Sequence, residues 1–205
     1  MKHQFYGLGY VLACMLVIFN LPIFAQSGVF EKSYGLEGEM KYAEAAKVLK
    51  AGTLPDCYEC NLRLGWLYYK DNKFDEAVKS YSKAIQLKPM SIEARLGILL
   101  PLSTQEKWGD IQAIYKEILK IDPNHSSANY GLGLSYYYQK DYTSADAYFT
   151  KVINLYPFDY STNLMLGWTK YFLGKKQEAE VLFNRVLCYY PTDASALEGL
   201  ATLKK

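Results

Sequence analysis

Residues 58–91 read YECNLRLGWLYYKDNKFDEAVKSYSKAIQLKPMS, with apolar residues at helical spacing on both sides of the polar segment KDNK at 70–73. This pattern predicts two amphipathic helices joined by a turn. Pro89 closes the second helix, because proline lacks the backbone N–H and crowds the preceding turn. Gly65 and Ala77 are small enough for the two helices to approach closely, and Tyr81 would fill the space between units. The segment is therefore predicted to be a helical hairpin.

The landmarks of this hairpin recur along the chain at intervals of 34 residues or twice that length. They are prolines, glycines, alanines and aromatic residues: Pro89, Pro123, Pro157 and Pro191; Gly65, Gly133 and Gly167; Ala77, Ala145 and Ala179; Tyr81, Tyr115, Phe149 and Phe183. Such a period is typical of a solenoid, since one hairpin cannot bury its apolar face without a stacked neighbour. Three polar residues, each two positions after a proline, are predicted to cap the next helix: Ser91, Asp159 and Asp193.

The pattern resembles the tetratricopeptide repeat, whose motif places Leu-Gly, Tyr, Ala, an aromatic residue, Ala and Pro at set offsets. The unit at 58–91 matches it at Asn61, Leu64, Gly65, Tyr68, Ala77, Tyr81, Ala84 and Pro89. The unit at 126–159 matches at Leu132, Gly133, Tyr136, Ala145, Phe149, Val152 and Pro157. The unit at 160–193 matches at Leu166, Gly167, Ala179, Phe183, Val186 and Pro191, with Lys170 in place of the Tyr. The unit at 92–125 is degenerate, with Ile98, Leu99, Leu102, Ile111, Tyr115, Ile118 and Pro123, and Pro101 interrupts its first helix. The resemblance implies an all-α fold, an α-solenoid forming a right-handed superhelix of about four hairpins.

Two shorter segments flank these units. Residues 26–57 are interpreted as a divergent N-terminal half-repeat, with a helix ending near Gly52 whose inward stripe is Ala45, Val48 and Leu49. Residues 194–205 are interpreted as a C-terminal capping helix. Its inward face is predicted to be Leu197, Leu200 and Leu203.

The N-terminal residues 1–25 indicate where the protein is located. A basic start, a long apolar run and Ala25 before Gln26 fit a secretory signal peptide cleaved after Ala25. The expected location is then the periplasm or cell envelope. Two alternatives are an uncleaved anchor in the inner membrane formed by residues 5–24 and a lipoprotein site at Cys14.

Charge and cysteine content exclude several classes of function. The net charge is +2 and the basic residues are scattered, which argues against nucleic-acid binding. Cys57 and Cys60 are interpreted as a structural disulfide, with free thiols and a redox pair as alternatives. Cys188 is expected to be a buried small hydrophobe. With His125 the only histidine after the signal segment, we expect no zinc, no other cofactor and no catalytic centre.

In tetratricopeptide repeats the first helix of each hairpin lines a concave groove. Counted in repeat phase, the groove residues of this chain are Leu62, Trp66, Tyr69, Leu96, Leu100, Tyr130, Leu134, Tyr137, Tyr138, Leu164, Trp168, Tyr171 and Phe172. Core packing is not expected to require Trp66 or Trp168, so this aromatic row predicts an interaction surface. Leu62 and Trp66 stand where the clamp for acidic C-termini in some members of the family has Lys and Asn. That clamp is therefore not expected here.

The leading interpretation is a non-catalytic scaffold of the cell envelope that binds a protein or peptide with apolar anchors in this groove. The membrane is a partner only if the N-terminal segment is uncleaved. One alternative is a membrane-anchored or self-associating structural protein, with the groove filled by the chain itself. A second alternative is a thiol–disulfide helper that uses Cys57 and Cys60.

Overall fold

The structure is a computed structural model that describes residues 28–204. These residues form eleven α-helices and no strand. The helices are α1 (28–38), α2 (Tyr42–Gly52), α3 (Tyr58–Lys70), α4 (Phe74–Leu87), α5 (Ile92–Thr104), α6 (Trp108–Ile121), α7 (Ser126–Tyr138), α8 (Tyr142–Leu155), α9 (Tyr160–Phe172), α10 (Lys176–Tyr189) and α11 (Ala194–Leu203). The predicted signal segment, 1–25, lies outside the described residues. Within 28–204, no helix combines the length and the apolar character needed to cross a membrane.

The chain divides into two compact units, which we call the N-terminal unit (described residues up to Gln105) and the C-terminal unit (from Glu106). In the N-terminal unit α2 packs on α3, α3 on α4 and α4 on α5, and α3 also contacts α5. In the C-terminal unit each helix from α6 to α11 packs on the next, and α9 also contacts α7 and α11. Each unit is thus a stack of antiparallel hairpins, which confirms the predicted solenoid architecture.

The start of each first helix repeats the same cap. Ser91, Asp159 and Asp193 accept a hydrogen bond from the backbone N–H three residues later, at 3.0, 2.8 and 2.8 Å, which confirms the prediction. Cys57 and His125 occupy the same position, two residues after a proline, and their side chains also accept from the third residue. The 34-residue period therefore begins one unit earlier than predicted, at Pro55.

A second periodic contact was missed by sequence reasoning. Asn61, Asn129 and Asn163 each donate from Nδ2 to the carbonyl of the proline six residues earlier, at 2.7, 3.0 and 2.9 Å. Each also donates to the carbonyl of the cap residue. Arg95 occupies this position in α5 and bonds the equivalent carbonyls through Nη1. These side chains satisfy carbonyl groups of the turn between hairpins and thereby fix it.

Close helix approach at Gly65 positions the core aromatic residue. A Cβ atom built on Gly65 would lie 2.7 Å from the Tyr81 ring, and one built on Gly97 would also collide with that ring. Tyr81 is 3% exposed and lies between α3 and α5. The small residue in α3 is therefore required by packing, as the repeat pattern predicts.

The structure corrects three expectations for single residues. Leu197 is exposed, and Ala196 and Gly199 are the buried residues of α11. Leu197 stands at the repeat position of Asn163, and within the described residues no second helix follows α11 to cover it. Cys188 is exposed near the end of α10 and not buried. Pro101 is buried within α5, which continues to Thr104 without interruption.

Candidate functional site

The N-terminal unit contains a groove between α1, α3 and α5, which we call the N-terminal groove. It encloses about 850 Å³. Its lining is mainly apolar and aromatic, with charged side chains from α3, α5 and the end of α4: Phe30, Tyr34, Tyr58, Glu59, Leu62, Arg63, Trp66, Tyr81, Lys88, Glu93, Leu96, Gly97 and Leu100. The predicted residues Leu62, Trp66, Leu96 and Leu100 are brought together here.

Polar contacts between α1 and α3 fix one wall of the groove. Trp66 donates its indole N–H to Glu37 at 2.6 Å, and Arg63 forms an ion pair with the same carboxylate at 2.9 Å. The Arg63 Nε donates to Ser33 at 3.1 Å, and its guanidinium lies 3.5 Å from the centre of the Tyr34 ring. Arg63 and Ser33 are buried, so this wall is preformed by buried polar contacts, although Arg63 Nη2 makes only the ion pair with Glu37 and no hydrogen bond.

The end of the groove at the start of α3 is polar. The Tyr58 hydroxyl lies 2.7 Å from Ser91 Oγ and donates to Glu93 at 3.3 Å. Lys88 donates to Glu59 at 2.8 Å, and its ammonium lies 4.0 Å from the centre of the Tyr58 ring. The hydrogen bond from Lys88 holds the pKa of the Glu59 carboxyl below its ordinary value. The groove therefore has an aromatic section and a charged end.

Tyr69, also predicted to lie in the groove, is placed in a neighbouring depression. Its ring centre lies 6.0 Å from Trp66 and 6.1 Å from Phe74. Lys70 and Thr104 complete the lining of this depression together with Asn72. The predicted row in the N-terminal unit thus divides between two surfaces.

In the C-terminal unit an aromatic cluster joins α7, α8 and α9. Tyr142 stacks on Phe172 with ring centres 4.6 Å apart, and Tyr137 meets both edge-on at 5.6 and 6.1 Å. Tyr138 is 75% exposed and Phe172 is 47% exposed. Burial raises the pKa of the Tyr137 hydroxyl. We call these residues, together with Trp168 and Tyr171, the C-terminal aromatic cluster.

The expectation that packing does not require the two tryptophans is wrong. Trp66 and Trp168 are both half-buried and pack against the cores of their units. Trp168 donates its indole N–H to Ser195 of α11 at 2.9 Å and meets the Phe183 ring at 5.2 Å. Each indole N–H donates a hydrogen bond to a side chain of a neighbouring first helix, because its position faces the interface between successive hairpins. The other predicted residues of this unit are half-buried and also pack against the cores: Tyr130, Leu134, Leu164 and Tyr171.

Sequence reasoning missed three aromatic residues of these surfaces. Phe30 and Tyr34 belong to α1, whose apolar pattern is weak, so no repeat phase could be assigned to them. Tyr142 was detectable, because it follows Phe74 by twice the repeat length at the start of a second helix.

The cysteine pair lies at the start of α3, and neither cysteine lines the N-terminal groove. Cys57 and Cys60 form a disulfide bond, with Cα atoms 5.2 Å apart. Cys60 is 1% exposed. No group of three or more His, Cys, Asp or Glu side chains within 28–204 is arranged to hold a metal ion.

The stacked hairpins and the preformed groove define a class of protein, the helical-repeat scaffold that presents a surface to other polypeptides. Two segments match family models described as the tetratricopeptide repeat, at residues 58–91 and 127–159. The chain therefore contains tetratricopeptide repeats, and its fold is that of a protein–protein interaction scaffold. No curated protein sequence matches it.

Solved structures share the fold. A tetratricopeptide repeat protein from Parabacteroides merdae ATCC 43184 is 24% identical, with a TM-score of 0.74 over 87% of this chain and 72% of that chain. MamA from Desulfovibrio magneticus RS-1 is 17% identical, with a TM-score of 0.68 over 83% and 97%. YrrB, a TPR protein with an unusual peptide-binding site, is 13% identical, with a TM-score of 0.68 over 84% and 90%. At these identities the likeness concerns the fold alone.

Proposed function

We propose that this protein is a non-catalytic scaffold of the cell envelope that binds a peptide or protein segment with apolar anchors in the N-terminal groove. The observation that supports this most is the groove itself. Its volume of about 850 Å³ falls within the range of roughly 300–1,000 Å³ typical of ligand pockets. Leu62, Trp66 and Leu100 present an apolar surface to a bound segment, and polar groups flank this surface.

The fixed wall of the groove favours binding. Because Glu37 holds both Trp66 and Arg63, these side chains lose little conformational freedom when a ligand arrives. Trp and Tyr are also the residues that contribute most often to binding energy at protein interfaces. The fold is similar to that of YrrB, which has a peptide-binding site. The envelope location rests on the sequence of residues 1–25, and an uncleaved segment would instead anchor the scaffold in the inner membrane.

Site-specific photo-crosslinking in the native cells tests the proposal. A photo-reactive amino acid at Leu62 of the full chain should capture a defined partner through a segment that carries apolar side chains. Leu100→Asp should abolish this capture, because it places a carboxylate in the apolar lining. Leu197→Asp is the matched control, since Leu100 and Leu197 are exposed by 38% and 46% but only Leu100 lines the groove.

Three results would contradict the proposal. Equal capture by the two Asp variants would remove the groove from the interaction. Crosslinks to a second copy alone would favour the self-associating alternative. Crosslinks to residues 1–27 of the same chain would mean that the groove is filled by its own N-terminal segment. Helicity measured by circular dichroism should be unchanged in both variants.

A further inference from the structure

Both cations that line the N-terminal groove are already paired with carboxylates. The Lys88 ammonium is held by Glu59 at 2.8 Å. The Arg63 guanidinium is held by Glu37 at 2.9 Å. Neither is therefore available to a carboxylate or phosphate of a ligand without breaking an existing ion pair.

The remaining charge at the groove is a carboxylate. Three carboxylates, those of Glu37, Glu59 and Glu93, stand against the two cations of Arg63 and Lys88, which leaves one negative charge. Within residues 28–204, Glu93 forms no ion pair with a lysine or arginine. It accepts one hydrogen bond, from Tyr58 at 3.3 Å, a hydroxyl that also lies 2.7 Å from Ser91 Oγ. Glu93 is exposed at the charged end of the groove.

We propose, resting on the groove function above, that the segment bound there carries a lysine or arginine that pairs with Glu93, together with apolar side chains that occupy the aromatic section. Charge complementarity favours this occupant, because an acidic segment would place like charges together at Glu93. The opposite end supports the same orientation. Lys70 lines the neighbouring depression and lies 5.5 Å from the centre of the Trp66 ring, so a basic residue of the ligand on that side of Trp66 would meet a cation.

The distance between Tyr58, which donates to Glu93, and Trp66 sets the spacing between the basic residue of the ligand and its apolar anchor. Trp66 follows Tyr58 by eight positions, which is about 12 Å along a helix axis. An extended peptide covers this distance in about four residues. The bound segment therefore has its basic residue roughly four positions from its main apolar side chain when extended, or about eight positions from it when helical.

Fluorescence anisotropy with synthetic peptides tests this inference on the full chain. The three probes share a C-terminal apolar half with Leu and Trp and differ at a single position four residues before the Trp. That position holds Lys, norleucine or Glu. The Lys peptide should bind roughly twofold to fivefold more tightly than the norleucine peptide and should lose this advantage at high salt. The Glu peptide should bind most weakly.

Variants of the protein assign the effect to Glu93. Glu93→Gln should bring the affinity for the Lys peptide down to that for the norleucine peptide, which should itself be unchanged. Glu93→Lys should reverse the order and favour the Glu peptide. Glu76→Gln is the matched control, because Glu76 is an exposed carboxylate on α4 that does not line the groove.

The outcomes separate this inference from the function beneath it. The groove function itself is contradicted if none of the peptides binds and Leu100→Asp leaves the photo-crosslinking from Leu62 unchanged. If the Lys and norleucine peptides bind equally, with binding lost in Leu100→Asp, the groove function stands and the basic residue is refuted. A Lys preference that persists in Glu93→Gln also refutes the assignment.

Discussion

Replacing Lys170 by Met should destabilise the C-terminal unit by roughly 2–3 kcal/mol. Lys170 stands where two other repeats have tyrosine, and its side chain is only 11% exposed. Its ammonium contacts Asp146 at 2.9 Å and Glu178 at 2.6 Å. Lys175 reaches the same Asp146 carboxylate at 3.3 Å. The Lys170 charge, at the position that holds tyrosine in two other repeats, is thus neutralised by the carboxylates of Asp146 and Glu178.

The magnitude follows from what the substitution leaves behind. Removing one partner of a fully buried ion pair costs about 3–5 kcal/mol, because the other charge stays buried and unpaired. Asp146 is 16% exposed and keeps Lys175, so the cost is at the lower end of this range or below it. Glu178 is 54% exposed and is rehydrated when its partner is lost.

Two pKa shifts set the pH range of the effect. Burial alone raises the pKa of Asp146, but the hydrogen bonds and charges of Lys170 and Lys175 outweigh it, so this pKa lies below its ordinary value. Burial alone lowers the pKa of Lys170, but Glu178 and Asp146 outweigh it and raise this pKa. The Asp146 contribution is present above the unfolded pKa of about 4 and is lost as pH falls through the folded value. The Lys170 contribution is present below about pH 10 and is lost as pH rises through the folded value.

Urea unfolding followed by circular dichroism at neutral pH measures the effect. The midpoint for Lys170→Met should fall by about 1–2 M. Lys175→Met is the matched control, because it removes a cation from the same carboxylate at an exposed position. It should cost less than about 0.5 kcal/mol. Equal urea midpoints for the two variants would refute the network as the reason that Lys170 is tolerated. A difference between the two midpoints that stays the same below about pH 4 would refute it as well.

Two further predictions concern packing and capping. Gly65→Ala should cost roughly 1–3 kcal/mol, because its Cβ would lie 2.7 Å from the Tyr81 ring. Gly109→Ala, where nothing lies within 4 Å, should stabilise by about 0.5 kcal/mol, and urea unfolding that finds the two variants alike would contradict this explanation. Cys57→Ser and Cys57→Ala both remove the disulfide, but the Ser hydroxyl can accept from the Cys60 N–H in place of the Cys57 sulfur, as Ser91 accepts from Ala94 in α5, whereas Ala cannot. The Ala variant should therefore be less stable than the Ser variant by about 1 kcal/mol in urea unfolding, and equal stability would exclude a capping role.

The sequence determines the helical architecture because its spacing signals are local. Pro89, Gly65 and Tyr81 act within one hairpin or between neighbours, so the 34-residue period reports their packing directly. The cap residues are equally predictable, since Ser91 needs only the next turn of its own helix. These features required no knowledge of distant contacts.

The candidate site was less predictable because its contacts cross from one hairpin to another. Glu37 binds Trp66 at a separation of 29 residues, and the weak helical signal of α1 gave no register for it. Trp168 was predicted as a free groove residue, but Ser195 accepts its indole N–H. Position in the repeat therefore predicts which face a side chain occupies, but not how much of that face a neighbouring helix covers.

The charged residues at repeat positions differ in how their charges are compensated. Arg95 replaces an asparagine and makes the same two hydrogen bonds to turn carbonyls, so it has the same structural role. Lys170 replaces a tyrosine and is neutralised by Asp146 and Glu178. Glu93 forms no ion pair with a lysine or arginine among the described residues, and its carboxylate lies at the charged end of the N-terminal groove. Glu93 lies in the first turn of α5 and accepts a hydrogen bond from Tyr58, but no lysine or arginine among the described residues neutralises it. Pairing with a basic residue of a ligand is therefore the role that we propose for its charge.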